Sequence, residues 1–141
     1  MKWRAIPWIF VAALLGLAFY AHLTQERKPL AETHNLVCAQ PAQGCAFSLD
    51  GRPGKITFSR APRAMEGFTL TVLAPGAKSV AVDFQMPDMD MGENHYVLKQ
   101  VRAGEFSADN ITLPVCAHGG VDWVADFNVD GAHYTLPFTV R

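Results

Sequence analysis

The sequence has no run of like charge and no excess of either sign: 12 Lys and Arg stand against 13 Asp and Glu, for a net charge of -1. Nucleic-acid binding needs a concentrated basic surface, so that class is set aside. Catalytic signatures are missing as well. There is no GxSxG elbow, no HExxH helix, no P-loop and no Rossmann glycine set. The five His stand apart, at 22, 34, 95, 118 and 133, so no enzyme is read here. Cysteine is scarce. Cys38, Cys45 and Cys116 allow at most one internal disulfide and leave one sulfur over. No stretch after residue 40 has helical periodicity, and no internal repeat is visible.

Residues 5–25 contain no Asp, Glu, Lys or Arg, and the run IPWIFVAALLGLAFYAHL is almost wholly apolar. Roughly 20 helical residues span the ~30 Å hydrocarbon layer of a bilayer. Trp3, Trp8 and Tyr20 fall near the two ends, where aromatic rings favour the membrane interface. A cleaved signal peptide is the rival reading, but it needs small residues at its cleavage site, and Leu17-Ala18-Phe19-Tyr20-Ala21 supplies a poor one. The expected organisation is therefore a transmembrane anchor over 1–25, a polar linker over 26–37 and a folded domain over 38–141. Lys2 and Arg4 before the span tie with Arg27 and Lys28 after it, and the terminal amine tips the N-terminus inward. Cysteines confined to the soluble part suit an oxidising space. The expected location is the inner membrane, crossed once, with the C-terminal domain in the periplasm.

After residue 40 the hydrophobic pattern has period two. In VDWVADFNV (121–129), Val121, Trp123, Ala125, Phe127 and Val129 share one face, while Asp122, Asp126 and Asn128 take the other. FTLTV, SVAVDF and YTLPFTV alternate in the same way. Turn signals (DGRPG, APG, AG, HGG and DG) separate the runs. The pattern predicts strands at about 45–49, 55–60, 67–74, 78–86, 94–102, 105–113, 121–129 and 133–140, and strands so spaced predict an all-β, Ig-like or cupredoxin-like antiparallel β-sandwich. If each strand reverses the one before, the loops after 78–86 and 105–113 lie at one end of the sandwich. Cys45, the segment APRAMEG with Met65, and the incoming linker are expected at that end too, as a membrane-facing rim.

Three of the five methionines lie within six residues, in MPDMDMGENH (86–95). Thioethers are soft neutral donors that suit Cu(I) and bind Mg(II), Ca(II) or Zn(II) poorly. Met86, Met89, Met91 and His95 on one loop, with Cys116 and His118 on the neighbouring loop, form the candidate metal ligands. The plain readings stand beside this one. Methionine fills gaps in cores, Asp88 and Asp90 serve turns, and Cys116 is a small buried hydrophobe or a disulfide partner. Cys38 and Cys45 enclose AQPAQG, whose Pro and Gly favour a tight loop, and their pairing is the favoured bridge. Cys45 with Cys116 is the main alternative. A blue-copper carrier would need a Met after Cys116 and His118, and none follows Met91.

The segment FQMPDMDMGENHYVL, the AGEF turn, ITLPVC and GGVDWVADFNVDG together resemble the FixH / YtkA-like family of membrane-anchored or secreted β-sandwiches. The resemblance covers residues 67–140. Met86, Met89, Met91 and Gly92 match the family's MPxMxMG stretch, whereas the LPVC segment departs from most members. The likeness implies copper handling or maturation of a respiratory oxidase, with the membrane and an oxidase or copper transporter as partners. A metal-free interaction module that braces a membrane complex is the alternative. On that view the methionine loop is an apolar contact patch.

Overall fold

The computed structural model describes residues 13–17, 33–87, 89, 94–115, 119 and 121–140. The chain divides into two units, Met1–Leu30 and Ala31–Arg141. In the first unit residues 13–17 are helical. Among the described residues no helix is long and apolar enough to cross a membrane. The rest of the expected anchor lies outside the described residues.

The second unit is a sandwich of two five-stranded sheets. Its strands are β1 (Thr33–Asn35), β2 (Cys45–Leu49), β3 (Arg52–Phe58), β4 (Phe68–Leu73), β5 (Val80–Gln85), β6 (His95–Val97), β7 (Lys99–Arg102), β8 (Glu105–Ile111), β9 (Asp122–Val129) and β10 (Ala132–Thr139). One sheet has the order β1-β10-β9-β5-β6, the other β2-β3-β4-β8-β7. Period-two sequence becomes two-faced strand. In β9, Trp123, Ala125, Phe127 and Val129 are buried, while Asp122 is exposed and Val124, Asp126 and Asn128 are half-buried. Burying one face of each sheet against the other removes both apolar surfaces from water, the main favourable term in folding.

Four tight turns gather at one pole. Asp50-Gly51 joins β2 to β3 and Asp130-Gly131 joins β9 to β10, each as a two-residue loop with both φ values positive (49° and 76°; 51° and 94°). Asp-Gly is the sequence that such primed hairpin turns demand. Pro75-Gly76 carries the chain from one sheet to the other, and Ala103-Gly104 joins β7 to β8. The other pole holds the longer connections: 59–67, 86–94 and 112–121, together with 36–44.

The sequence expectations hold for most elements and fail at two. The stretch 94–102 is not one strand. It breaks at Leu98, which is buried and donates its N–H to Val80 O at 2.9 Å. β6 completes one sheet and β7 the other, so the chain changes layer at a corner, as sandwich edges do. The second correction concerns the linker. Residues 33–35 form β1, which pairs in parallel with β10 through Thr33↔His133, His34↔Tyr134 and Asn35↔Thr135. Thr33 thus lies beside the Asp130-Gly131 hairpin, and the chain enters the sandwich at the tight-turn pole, not at the rim. Two observations explain it: His34 stacks on Tyr134 with centroids 5.1 Å apart, and Leu36 N–H extends the pairing to Thr135 O at 2.8 Å.

From β1 the chain runs to the rim, where Cys38 and Cys45 form a disulfide with an S–S distance of 2.04 Å. The favoured pairing is the one formed, and Cys45–Cys116 is thereby excluded.

Candidate functional site

The rim stands on an aromatic floor. Phe58, Phe68, Phe84 and Phe138 end or begin β3, β4, β5 and β10 there, with Phe58–Phe68, Phe58–Phe138, Phe68–Phe84 and Phe84–Phe138 centroids 5.2, 5.4, 6.1 and 6.0 Å apart. Three of the four contacts are edge-on, the geometry that aromatic quadrupoles favour. Met86 continues the inward alternation of Val80, Val82 and Phe84, so its side chain joins this core and is only 6% exposed. The chain then reverses at once. Met89 N–H donates to Met86 O at 3.2 Å, with Pro87 at the second position of the turn, where its fixed φ is already suitable. Met89 emerges at 36% exposure. The two methionines therefore divide between the packing role and the surface role.

Met65, on the neighbouring loop, is 66% exposed and adopts φ 62°. Its N–H donates to Leu113 O at 2.9 Å, which fastens the 59–67 loop to the start of the 112–121 loop. Val115 and Val121 on the latter are also exposed. The rim thus brings Met65, Met89, Val115 and Val121 to one pole. Met91, Cys116 and His118 lie outside the described residues. Among the described residues no group of three or more His, Cys, Asp or Glu side chains stands ready to hold a metal ion. Arg60 and Arg63 share one carboxylate on this rim, Glu66, at 3.3 and 3.8 Å. Beside the disulfide loop a depression of ≈ 400 Å³ lies between residues 39–42, Ala61, Pro62 and Phe138, with no charged group in its wall.

His95 takes a different position from the other candidate ligands. It begins β6 opposite Asp83 of β5, on the outer face of the sheet, and its Nδ1 is 2.8 Å from Asp83 Oδ1. Asp83 in turn lies opposite Asp126 of β9. On β10, His133 Nδ1 is 3.0 Å from Asp126 Oδ2 and 3.2 Å from Oδ1. Sequence spacing points to His95 but not to Asp83, Asp126 or His133. The alternation of 79–84 and 121–129 does put both aspartates on outward positions. Which outward residues become neighbours depends on strand order, and that cannot be read locally.

One carboxylate at the opposite pole has a displaced titration. Asp130 accepts the N–H groups of Lys78 at 2.9 Å and of Ser79 at 2.8 Å, together with the Ser79 hydroxyl at 3.0 Å. Partial burial pushes its pKa upward, but those hydrogen bonds and the Lys78 charge outweigh the push and hold it below the ordinary aspartate value. It fastens the β9–β10 hairpin to the crossing between sheets. No protein-family model matches the chain, and neither a curated protein nor a solved structure matches it.

Proposed function

We propose that the protein is a membrane-tethered periplasmic module that binds Cu(I) through the methionine loop at the rim, for copper handling or assembly of a respiratory oxidase, and that it is not an enzyme. The observation that carries this reading is the gathering of sulfur-bearing loops at one pole. Met65 and Met89 emerge there on separate connections, and Leu113 leads from the same pole toward Cys116. The proposed ligands are Met89, Met91, Cys116 and His118, with Met86 joining if its side chain leaves the core. His95, engaged by Asp83, is the weakest member of the original set. Thioethers carry no proton at any physiological pH, so the methionine donors bind without proton release, whereas Cys116 gives up its thiol proton on ligation. A carrier that must hand on its metal is suited by weak, adaptable donors.

The test is competition with a chromophoric Cu(I) chelator, using the full chain in detergent micelles. The wild type is expected to withdraw one Cu(I), and a Met86→Ala/Met89→Ala/Met91→Ala variant to compete at least about tenfold less well, the scale on which loss of metal-site partners is felt. Equal competition by the two removes the loop from the reading. A second reading, a metal-free module bracing a membrane complex, is favoured by exposed Met65, Met89, Val115 and Val121 at the same pole. It gains if no Cu(I) is withdrawn at all.

A further inference from the structure

Asp-Gly occurs at 50–51 and again at 130–131, and Asn-Gly does not occur. The dipeptide has a chemistry of its own. A glycine amide nitrogen, unhindered by a neighbouring side chain, can attack the carboxyl carbon of the aspartate before it. The two copies make the same turn, with positive φ at both residues. All four residues are exposed, and a Cβ on either glycine would meet open space. Conformation, exposure and crowding therefore do not distinguish the turns, but hydrogen bonding does. The Asp130 carboxylate accepts the Lys78 and Ser79 N–H groups and the Ser79 hydroxyl, and Asp130 N–H donates to Ser79 O at 3.1 Å. Gly131 N–H, the potential nucleophile, donates to Asn128 Oδ1 at 2.8 Å. Among the described residues the Asp50 carboxylate meets only Arg52, at 3.9 Å, and its side chain is 82% exposed. An exposed pair of that length restrains little. The frames differ as well. β2 is the border of its sheet, whereas β9 and β10 are interior to theirs. A depression of ≈ 470 Å³ beside Asp50 and Gly51, walled by Leu49, Ala132 and Tyr134, brings solvent to the turn.

We propose that Asp50 is a site of spontaneous covalent ageing, converting through a cyclic imide with Gly51 to isoaspartate, while the fold protects the same dipeptide at Asp130. The Gly51 nitrogen forms a bond to Asp50 Cγ, and the carboxyl hydroxyl leaves with the amide proton as water. Water then adds to the imide at one of its two carbonyls. Breaking the Cγ–N bond restores aspartate. Breaking the bond between nitrogen and the main-chain carbonyl leaves the peptide running through Cγ, one methylene longer and unchanged in mass. No oxidant or reductant takes part. Ring closure needs the nitrogen to swing over the carboxyl carbon, so the turn must first open. Opening is easiest where the fewest bonds oppose it. At Asp130 the bonds to Lys78, Ser79 and Asn128 must break first. The imide forms from the protonated carboxyl, and the low pKa of Asp130 keeps that form scarce, a second restraint. The added methylene lengthens a loop whose primed turn accepts two ordinary residues, so the modified tip cannot keep its pairing geometry.

The site shares no residue with the rim and involves no metal, so its fate is separable from the Cu(I) reading. The experiment incubates the full chain in detergent micelles, warm and at mildly acidic pH, over several weeks. A parallel sample is held unfolded in urea. Isoaspartate is located by electron-transfer fragmentation of the digested chain and counted by enzymatic carboxyl methylation. In urea the two sites should convert at similar rates, because both precede glycine. In the folded chain Asp50 should convert at least about tenfold faster than Asp130, since each hydrogen bond that must break slows opening. Ser79→Ala/Asn128→Ala, its fold verified by thermal melting, should speed conversion at Asp130 several-fold. It should leave the rate at Asp50 within about twofold, since separated sites without shared partners behave independently. The proposal is overturned if the folded chain converts neither site, converts both equally or converts Asp130 faster. It is also overturned if the unfolded sites already differ as much, or if the double variant leaves Asp130 as slow as before.

Discussion

At the scale of single residues, position in the strand period decides what a side chain does. Met86 and Met89 are chemically identical, but the first occupies an inward position and the second follows a reversal of the chain. Composition alone could not separate them, because a methionine serves equally as core filler and as soft ligand. Asp130 makes the same point with charge. Its pKa is held low in the folded chain, so the stability it contributes is present above the unfolded aspartate value of about 3.9 and is lost as pH falls through the folded value. Asp130→Asn keeps the left-handed turn conformation and removes the charge. Because the group is largely in water, the cost at neutral pH is expected below about 1 kcal/mol. The clearer signature is in acid: the wild type should lose stability relative to the variant as pH drops below 4, as measured by urea unfolding across that range. Parallel profiles would show that the hydrogen bonds to Lys78 and Ser79 contribute nothing through ionisation.

At the scale of elements, two devices hold the rim in shape. The first is the floor of four phenylalanines. Phe84 contacts Phe68, Tyr96 and Phe138 and is 1% exposed. Phe84→Ala should destabilise the sandwich by about 3–5 kcal/mol, through lost burial and the cavity left behind, measured by chemical unfolding. The second is the bridge between Cys38 and Cys45, which closes a sequence separation of 7. Loop-closure entropy assigns such a bridge about 2–3 kcal/mol. Cys38→Ser/Cys45→Ser should lower stability by that amount. Unchanged unfolding in the variant would mean that the 36–44 segment is ordered by β1 and by its own packing.

Most strands were legible because each runs long enough to show its period, and the hairpins because Asp-Gly states its turn type. The corner at Leu98 was not legible. Period two continues through 96–98 without a break, since a strand that changes sheets keeps its alternation. β1 was hidden for another reason. Three polar or half-polar residues, Thr33, His34 and Asn35, have no pattern of their own, and only the edge of β10 makes them a strand. The rim was legible as a gathering of loops, because strand alternation fixes polarity. The histidine–aspartate row was not, because neighbours across a sheet belong to topology.

At the scale of the whole molecule, the sandwich separates its duties by surface. Tight turns occupy one pole and long loops the other, and the two outer faces differ in charge. The face of β1-β10-β9-β5-β6 carries aspartates and histidines, while the opposite sheet places Lys55, Lys99 and Arg102 among its exposed strand residues.

The change of layer at Leu98 leaves both sheets with brief borders on that flank, three residues of β6 and four of β7, the latter with Lys99 and Arg102. On the other flank β1 is equally brief and β2 is tied down at Cys45. A strand from another molecule finds only a short ladder at β1, β6 or β7, and charge along β7. The fold thus discourages stacking through its main chain and leaves recognition to side chains at the loop pole and on the open faces.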